Sequence, residues 1–228
     1  MTTLTRTASA AAVKDLGWSY LLGTFLTYVP VASQAEGLEI AGLAVTACGD
    51  DADAHLAIDL RPARVELTLM DRDRSHVTDR DAELAAAITD ALRERGYEPK
   101  KLAEGGAARG VQQLEFAIDA MEIARIRPFW KAVLGYVDEP GRDGPEDALV
   151  DPQRLGPALW FQQMDEPRTQ RNRIHFDVTV PHEEAEARVQ AALDAGGTLV
   201  TDKYARSFWV LADAEGNEIC VCTWQDRE

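Results

Sequence analysis

Near its C-terminus the chain reads "LADAEGNEICVCTW" (211–224), and upstream it reads "NRIHFDV" (172–178). Each stretch has the make-up of a buried strand, and each carries one potential metal ligand: Glu218 in the first, His175 in the second. A divalent metal acting as a Lewis acid needs several nitrogen or oxygen donors and an open position for substrate oxygens. The same two side chains would serve equally as polar pocket residues, bonded to each other, in a cleft without a metal. Arg173 stands two residues before His175 and so shares its strand face, where it could hold an anionic group. Trp130, Trp160 and Trp209 all fall in elements that could border a cleft. Aromatic walls with few polar groups suit a flat or apolar ligand, although buried aromatics more often fill cores.

Cysteine supplies no further centre. Cys220 and Cys222 alternate on one strand face, a spacing that suits neither a disulfide nor a CxxC motif, and Cys48 stands alone. Three cysteines with no framework point to a reducing cytoplasm. Acidic residues outnumber basic ones 39 to 24, a net charge of −15 with no compensating basic run, which excludes a phosphate backbone as partner. The uncharged stretch 16–32 is interrupted by Gly, Ser, Thr, Tyr and Pro. It reads as two strands, 18–22 and 25–31, turning near Gly23-Thr24, rather than as a membrane span or signal peptide.

The elements that must position these residues follow from pattern. At 228 residues, with 46% hydrophobic content, the chain has material for two ordinary domains, each with its own core. A short Ala-rich helix is predicted over 5–15. Ser33 and Glu36 form a capping box ahead of a helix that Gly49 ends, and 63–70 alternates as a half-buried strand. Thr78 and Asp81 cap a helix with Leu84, Ile88 and Leu92 on one face, stopped by Gly96. The Gly- and charge-rich run 97–110 marks the boundary: a first domain over 1–98, a linker over 99–110, and a second domain over 111–228. The second domain opens with a strand at 111–119. A helix capped by Asp119 and Glu122 follows and contains Pro128, which should kink it. Strands at 147–150 and 158–164 complete a first set. A strand at 173–180, a helix at 182–195 and strands near 198–201, 207–212 and 217–224 repeat the order. Two βαβββ modules of this kind can pair into one curved sheet around a cleft.

"FWKAVLGY", "NRIHFDV" and "DAEGNEICV" together resemble the glyoxalase-like family of the vicinal-oxygen-chelate superfamily, over about 111–226. Carried over position by position, that resemblance implies a metal set of Gln113, His175 and Glu218 and a fourth ligand near Trp160. There the chain offers no carboxylate or imidazole, and only Gln162 and Gln163 as nearby oxygen donors. The activity implied is that of a metal-dependent lyase, isomerase or dioxygenase.

The segments from "LGW" (16–18) through "RVELTLMDRD" (64–73) to "VTDRDAELAAAI" (77–88) are similar to pterin-4a-carbinolamine dehydratase. The fold implied is a small four-stranded antiparallel sheet with helices on one face, so that the chain as a whole is α+β; such domains assemble as dimers or tetramers. Dehydration of a carbinolamine needs an acid for the departing hydroxyl and a base for the ring N–H proton, and imidazoles suit both. The family's paired-His segment reads "DAHLA" here. His55 matches the second His, Ala54 stands at the first, and Leu56 replaces the following Pro. The third His position falls on Arg72, which stays protonated and can hold a ligand but not exchange protons. His76 lies four residues later and would substitute only on a remodelled turn. Asp51, Asp53, Asp71 and Asp73 are the neighbouring carboxylates. Three functions therefore stand open: a pterin-type lyase using His55 and Arg72, a metalloenzyme using Gln113, His175 and Glu218, and a non-catalytic module that assembles and binds a small molecule.

Overall fold

The computed structural model describes residues 1–103, 109–168, 174 and 176–226. The chain packs as two compact units, Met1–Gln113 and Leu114–Glu228. His175 and Arg173 lie outside the described residues.

The first unit holds helix α1 (Arg6–Ala12), strands β1 (Ser19–Leu21) and β2 (Thr24–Pro30), helices α2 (Gln34–Cys48) and α3 (Ala52–His55), strands β3 (Leu56–Arg61) and β4 (Arg64–Leu69), and helix α4 (Asp79–Glu94). Its four strands form an antiparallel sheet in the order β1-β2-β4-β3. Strand β3, which sequence pattern alone does not single out, turns into β4 through Pro62 and Ala63, the latter at φ 67°. The sheet's inner face and helices α2 and α4 share a core of Phe25, Ile40, Val65, Leu67, Leu69, Leu84, Ile88 and Leu92. Ser33 accepts from the Glu36 N–H as expected, but the Glu36 carboxylate reaches back to Ala32 N–H rather than to Ser33. At α4 the capping box is complete: Thr78 and Asp81 satisfy each other's backbone reciprocally. The expected linker is partly structured. Lys100 pairs with Tyr28 in a β-bridge, and the Tyr28 hydroxyl donates to Leu102 O at 2.7 Å.

The second unit contains two βαβββ modules. The first comprises β5 (Glu115–Ala120), α5 (Ile123–Leu134), β6 (Val137–Asp138), β7 (Leu149–Val150) and β8 (Ala158–Gln163). The second comprises β9 (Asp177–Thr179), α6 (His182–Asp194), β10 (Thr198–Thr201), β11 (Phe208–Ala212) and β12 (Glu218–Cys222). Their sheets have the same topology, β5-β8-β7-β6 and β9-β12-β11-β10, and in each the first strand runs parallel to the last. The repeat read from element order is therefore real in three dimensions. Each module forms its own four-stranded sheet, and neither closes into a barrel.

One core unites the modules, with Ile118, Phe129, Trp130 and Phe161 from the first and Ala185, Leu211, Ile219 and Val221 from the second. Polar bonds also cross between them. Glu122 makes no side-chain cap at the start of α5, contrary to expectation. The Glu215 carboxylate, in the β11–β12 turn, accepts instead from Met121 and Glu122 N–H at 2.7–3.0 Å. A carboxylate placed there satisfies exposed donors and the positive end of the helix. Pro128 sits inside α5, and no helix among the described residues is long and apolar enough to cross a membrane.

Candidate functional site

In the first unit, His55 ends α3 and is almost fully buried, at 4% exposure. Its Nδ1 lies 2.8 Å from Asp81 Oδ1. Asp81 is fully buried in the first turn of α4, and its Oδ2 accepts from both the N–H and the hydroxyl of Thr78, each at 2.7 Å. The capping box thus has a second task. The carboxylate that closes the helix N-terminus also receives His55 Nδ1–H, which fixes the ring and leaves Nε2 as its other nitrogen. Among the described residues no hydrogen bond engages that nitrogen. The sequence showed Asp81 as a cap; that it also holds His55 follows only from the path of α3 across the start of α4.

Arg72 is exposed and donates from Nη2 to Leu56 O at 3.2 Å, one residue from His55. Asp51 is paired with Arg80, Asp53 and Asp73 are exposed, and Asp71 is buried beneath the N–H groups of Asp73 and Arg74 and the Arg74 guanidinium. These carboxylates are occupied in turns and ion pairs or solvated. His76 holds two bonds: Nδ1 lies 3.1 Å from Val77 O, and Nε2 lies 3.0 Å from the Tyr20 hydroxyl.

In the second unit the two faces of each sheet differ. Phe116, Ile118, Leu159 and Phe161 turn toward the helices, so Ala117, Asp119, Trp160 and Gln162 turn away from them. On β12, Ile219 and Val221 enter the core, and Glu218, Cys220 and Cys222 take the opposite face. The Cys220 thiol is pushed up to about 12 by burial and by the nearby Asp177 carboxylate, which makes it inert at neutral pH. Burial and Asp51 likewise push Cys48 up to about 11.

The three tryptophans separate. Trp130 is a core residue at 1% exposure and donates from Nε1 to Asp213 Oδ2 at 2.9 Å, and Trp209 packs against the same core. Trp160 alone stands on the open face, 39% exposed, beside Ala117 of β5.

Of the metal set carried over from the resemblance, Gln113 and Glu218 lie among the described residues. Gln113 precedes β5, belongs to the first unit and donates from Nε2 to Thr24 Oγ1 at 3.0 Å. Trp160 offers no lone pair, and Gln163 donates its amide to Ala120 O and Met121 O. Glu218 remains, and His175 lies outside the described residues. Among the described residues no three His, Cys, Asp or Glu side chains are grouped to hold a metal ion.

Residues 115–222, in the C-terminal half of the chain, match a family model described as "Glyoxalase-like domain". Among solved structures, a glyoxalase/bleomycin resistance protein/dioxygenase family enzyme from Burkholderia phytofirmans PsJN is similar at 20% identity, covering 49% of this chain and 98% of its own, with a TM-score of 0.40. The fosfomycin resistance protein FosX from Mesorhizobium loti is similar at 8% identity, over 49% of this chain and 90% of its own, with a TM-score of 0.38. A transcriptional coactivator/pterin dehydratase from Brucella melitensis is similar at 18% identity, over 40% of this chain and 98% of its own, with a TM-score of 0.36. No curated protein matches the chain.

Proposed function

We propose that the chain is a small-molecule lyase of the pterin-4a-carbinolamine dehydratase type, joined to a glyoxalase-like domain that serves as a binding accessory. The observation that carries this reading is the buried His55–Asp81 pair in the unit whose sequence resembles that family. A carbinolamine loses water when its hydroxyl is protonated and its N–H proton is withdrawn. His55, held through Nδ1, is the residue able to exchange a proton at Nε2. Arg72, exposed and anchored to Leu56 O beside it, is the cation available to orient a carbonyl-bearing ring.

The reading includes a cytoplasmic protein, in keeping with three free and buried thiols, and a homo-oligomer, in keeping with the resemblance. It is tested by incubating the full chain with a 4a-hydroxytetrahydropterin and following loss of water spectroscopically. The expected result is turnover that falls by about 100-fold or more in His55→Gln, the usual scale for an acid–base group. An unchanged rate in that variant would remove His55 from the mechanism.

A further inference from the structure

Dehydration needs two proton-transfer groups, and the family resemblance leaves this chain with one matching imidazole. We infer that Tyr20 and His76 together form the second, an inference that rests on the dehydratase reading above. Three observations place the pair. Met70 N–H donates to His55 O and Arg72 N–H to Ala54 O, while Asp71 forms a β-bridge with His76. The segment 70–72 therefore has His55 on one flank and His76 on the other. Tyr20 pairs with Phe25, Phe25 with Leu69, and Leu69 with Leu56, the residue after His55. Tyr20 and His55 thus meet the same end of the sheet. Helix α4 begins at that end too, with His76 two residues before its N-cap and Asp81 in its first turn.

The turn from Asp71 to His76 is the remodelled one that the sequence left open. Asp71 accepts from Asp73 and Arg74 N–H, Ser75 adopts φ 52°, and the chain returns to pair with Asp71. Gly23, at φ 83°, lets the β1–β2 turn lie against it: a Cβ there would stand 3.1 Å from Ser75 O and 3.4 Å from His76 Cδ2. The ring's protonation pattern is set by its neighbours. Val77 O can only accept, so Nδ1 carries the hydrogen and Nε2 of the neutral ring accepts from the Tyr20 hydroxyl. Both side chains are partly exposed, and His55 is buried.

The proton balance is complete with these groups. The protonated His55 gives its Nε2 hydrogen to the substrate hydroxyl, the C–O bond breaks, and water leaves. The Tyr20 oxygen takes the substrate N–H proton as its own hydrogen passes to His76 Nε2, and the freed N–H electron pair becomes the C=N bond. Solvent then carries one proton from His76 back to His55.

The test measures kcat, KM and the pH–rate profile of the full chain with a 4a-hydroxytetrahydropterin for wild type, His55→Gln, His76→Gln and Tyr20→Phe, with thermal melts as controls. Tyr20→Phe keeps the edge-on ring contact with Phe25, so its fold should hold. The expected result is a kcat loss of about 100-fold in both pair variants with KM little changed, and disappearance of the low-pH limb in His76→Gln. If His55→Gln alone is impaired and both pair variants keep wild-type kcat and both limbs, the pair is overturned and the dehydratase reading stands. If wild type itself gives no turnover, both fall.

Discussion

At the residue scale, Asp81 makes the strongest test of how the first unit is built. It is fully buried and satisfies Thr78 N–H, the Thr78 hydroxyl and His55 Nδ1 at once. Asp81→Ala should remove a helix cap and strand a buried imidazole, costing about 2–4 kcal/mol in urea unfolding. Asp81→Asn keeps the shape and the cap but presents an amide in place of the carboxylate; its expected signature is a smaller stability loss with dehydratase turnover lost. Cys48 and Cys220 make a different prediction. Their thiols titrate near 11 and 12 in the folded chain against an ordinary 9.0, so the folded state holds their protons more tightly. That contribution to stability is complete below pH 9 and is lost as pH rises toward 11–12. Native protein should therefore be slow to react with a thiol reagent at pH 7 and release all three thiols only on unfolding.

At the element scale, Gly42 and Glu215 carry opposite expectations. Gly42 lies mid-way along α2 with open space where a Cβ would stand. Gly42→Ala should raise the stability of the first unit by about 0.5–1 kcal/mol, read as a higher melting temperature. Glu215→Ala frees the Met121 and Glu122 N–H groups at the start of α5 and should cost about 1–2 kcal/mol in the second unit. Periodic elements were legible from sequence: α2, α4, β4, α6 and the repeated βαβββ order all follow from apolar spacing and caps. Strand β3 was not, because "LAIDLR" follows directly on the short helices after Gly49 and lacks a turn signal before it. The first strand of the second unit starts four residues later than expected, at Glu115 rather than 111, since "VQQL" looks like strand while Gln113 spends its side chain on Thr24. Of the site, His55 was legible by its type. Its tie to Asp81, and the β-bridge that brings His76 beside Asp71, depend on contacts between elements and leave no local trace.

At the scale of the whole molecule, the two compact units have separate cores. Residues 1–113 and 114–228, expressed separately, should each show native-like circular dichroism and a cooperative melt. The proposed dehydratase turnover should travel with the first. If either piece is unfolded alone, the separate-core description fails for that unit. The charge of −15 keeps like molecules apart at low salt, so any assembly should tighten as ionic strength rises, visible by analytical ultracentrifugation.

The Glu215 cap on α5, the Trp130–Asp213 bond and the common core have one more consequence. The two βαβββ modules look like interchangeable copies, but each finishes the other. A shared core and side-chain bonds hold them together. A chain broken after Arg168 should therefore behave as a split protein, with two fragments that are each incomplete and that reconstitute the second unit when mixed.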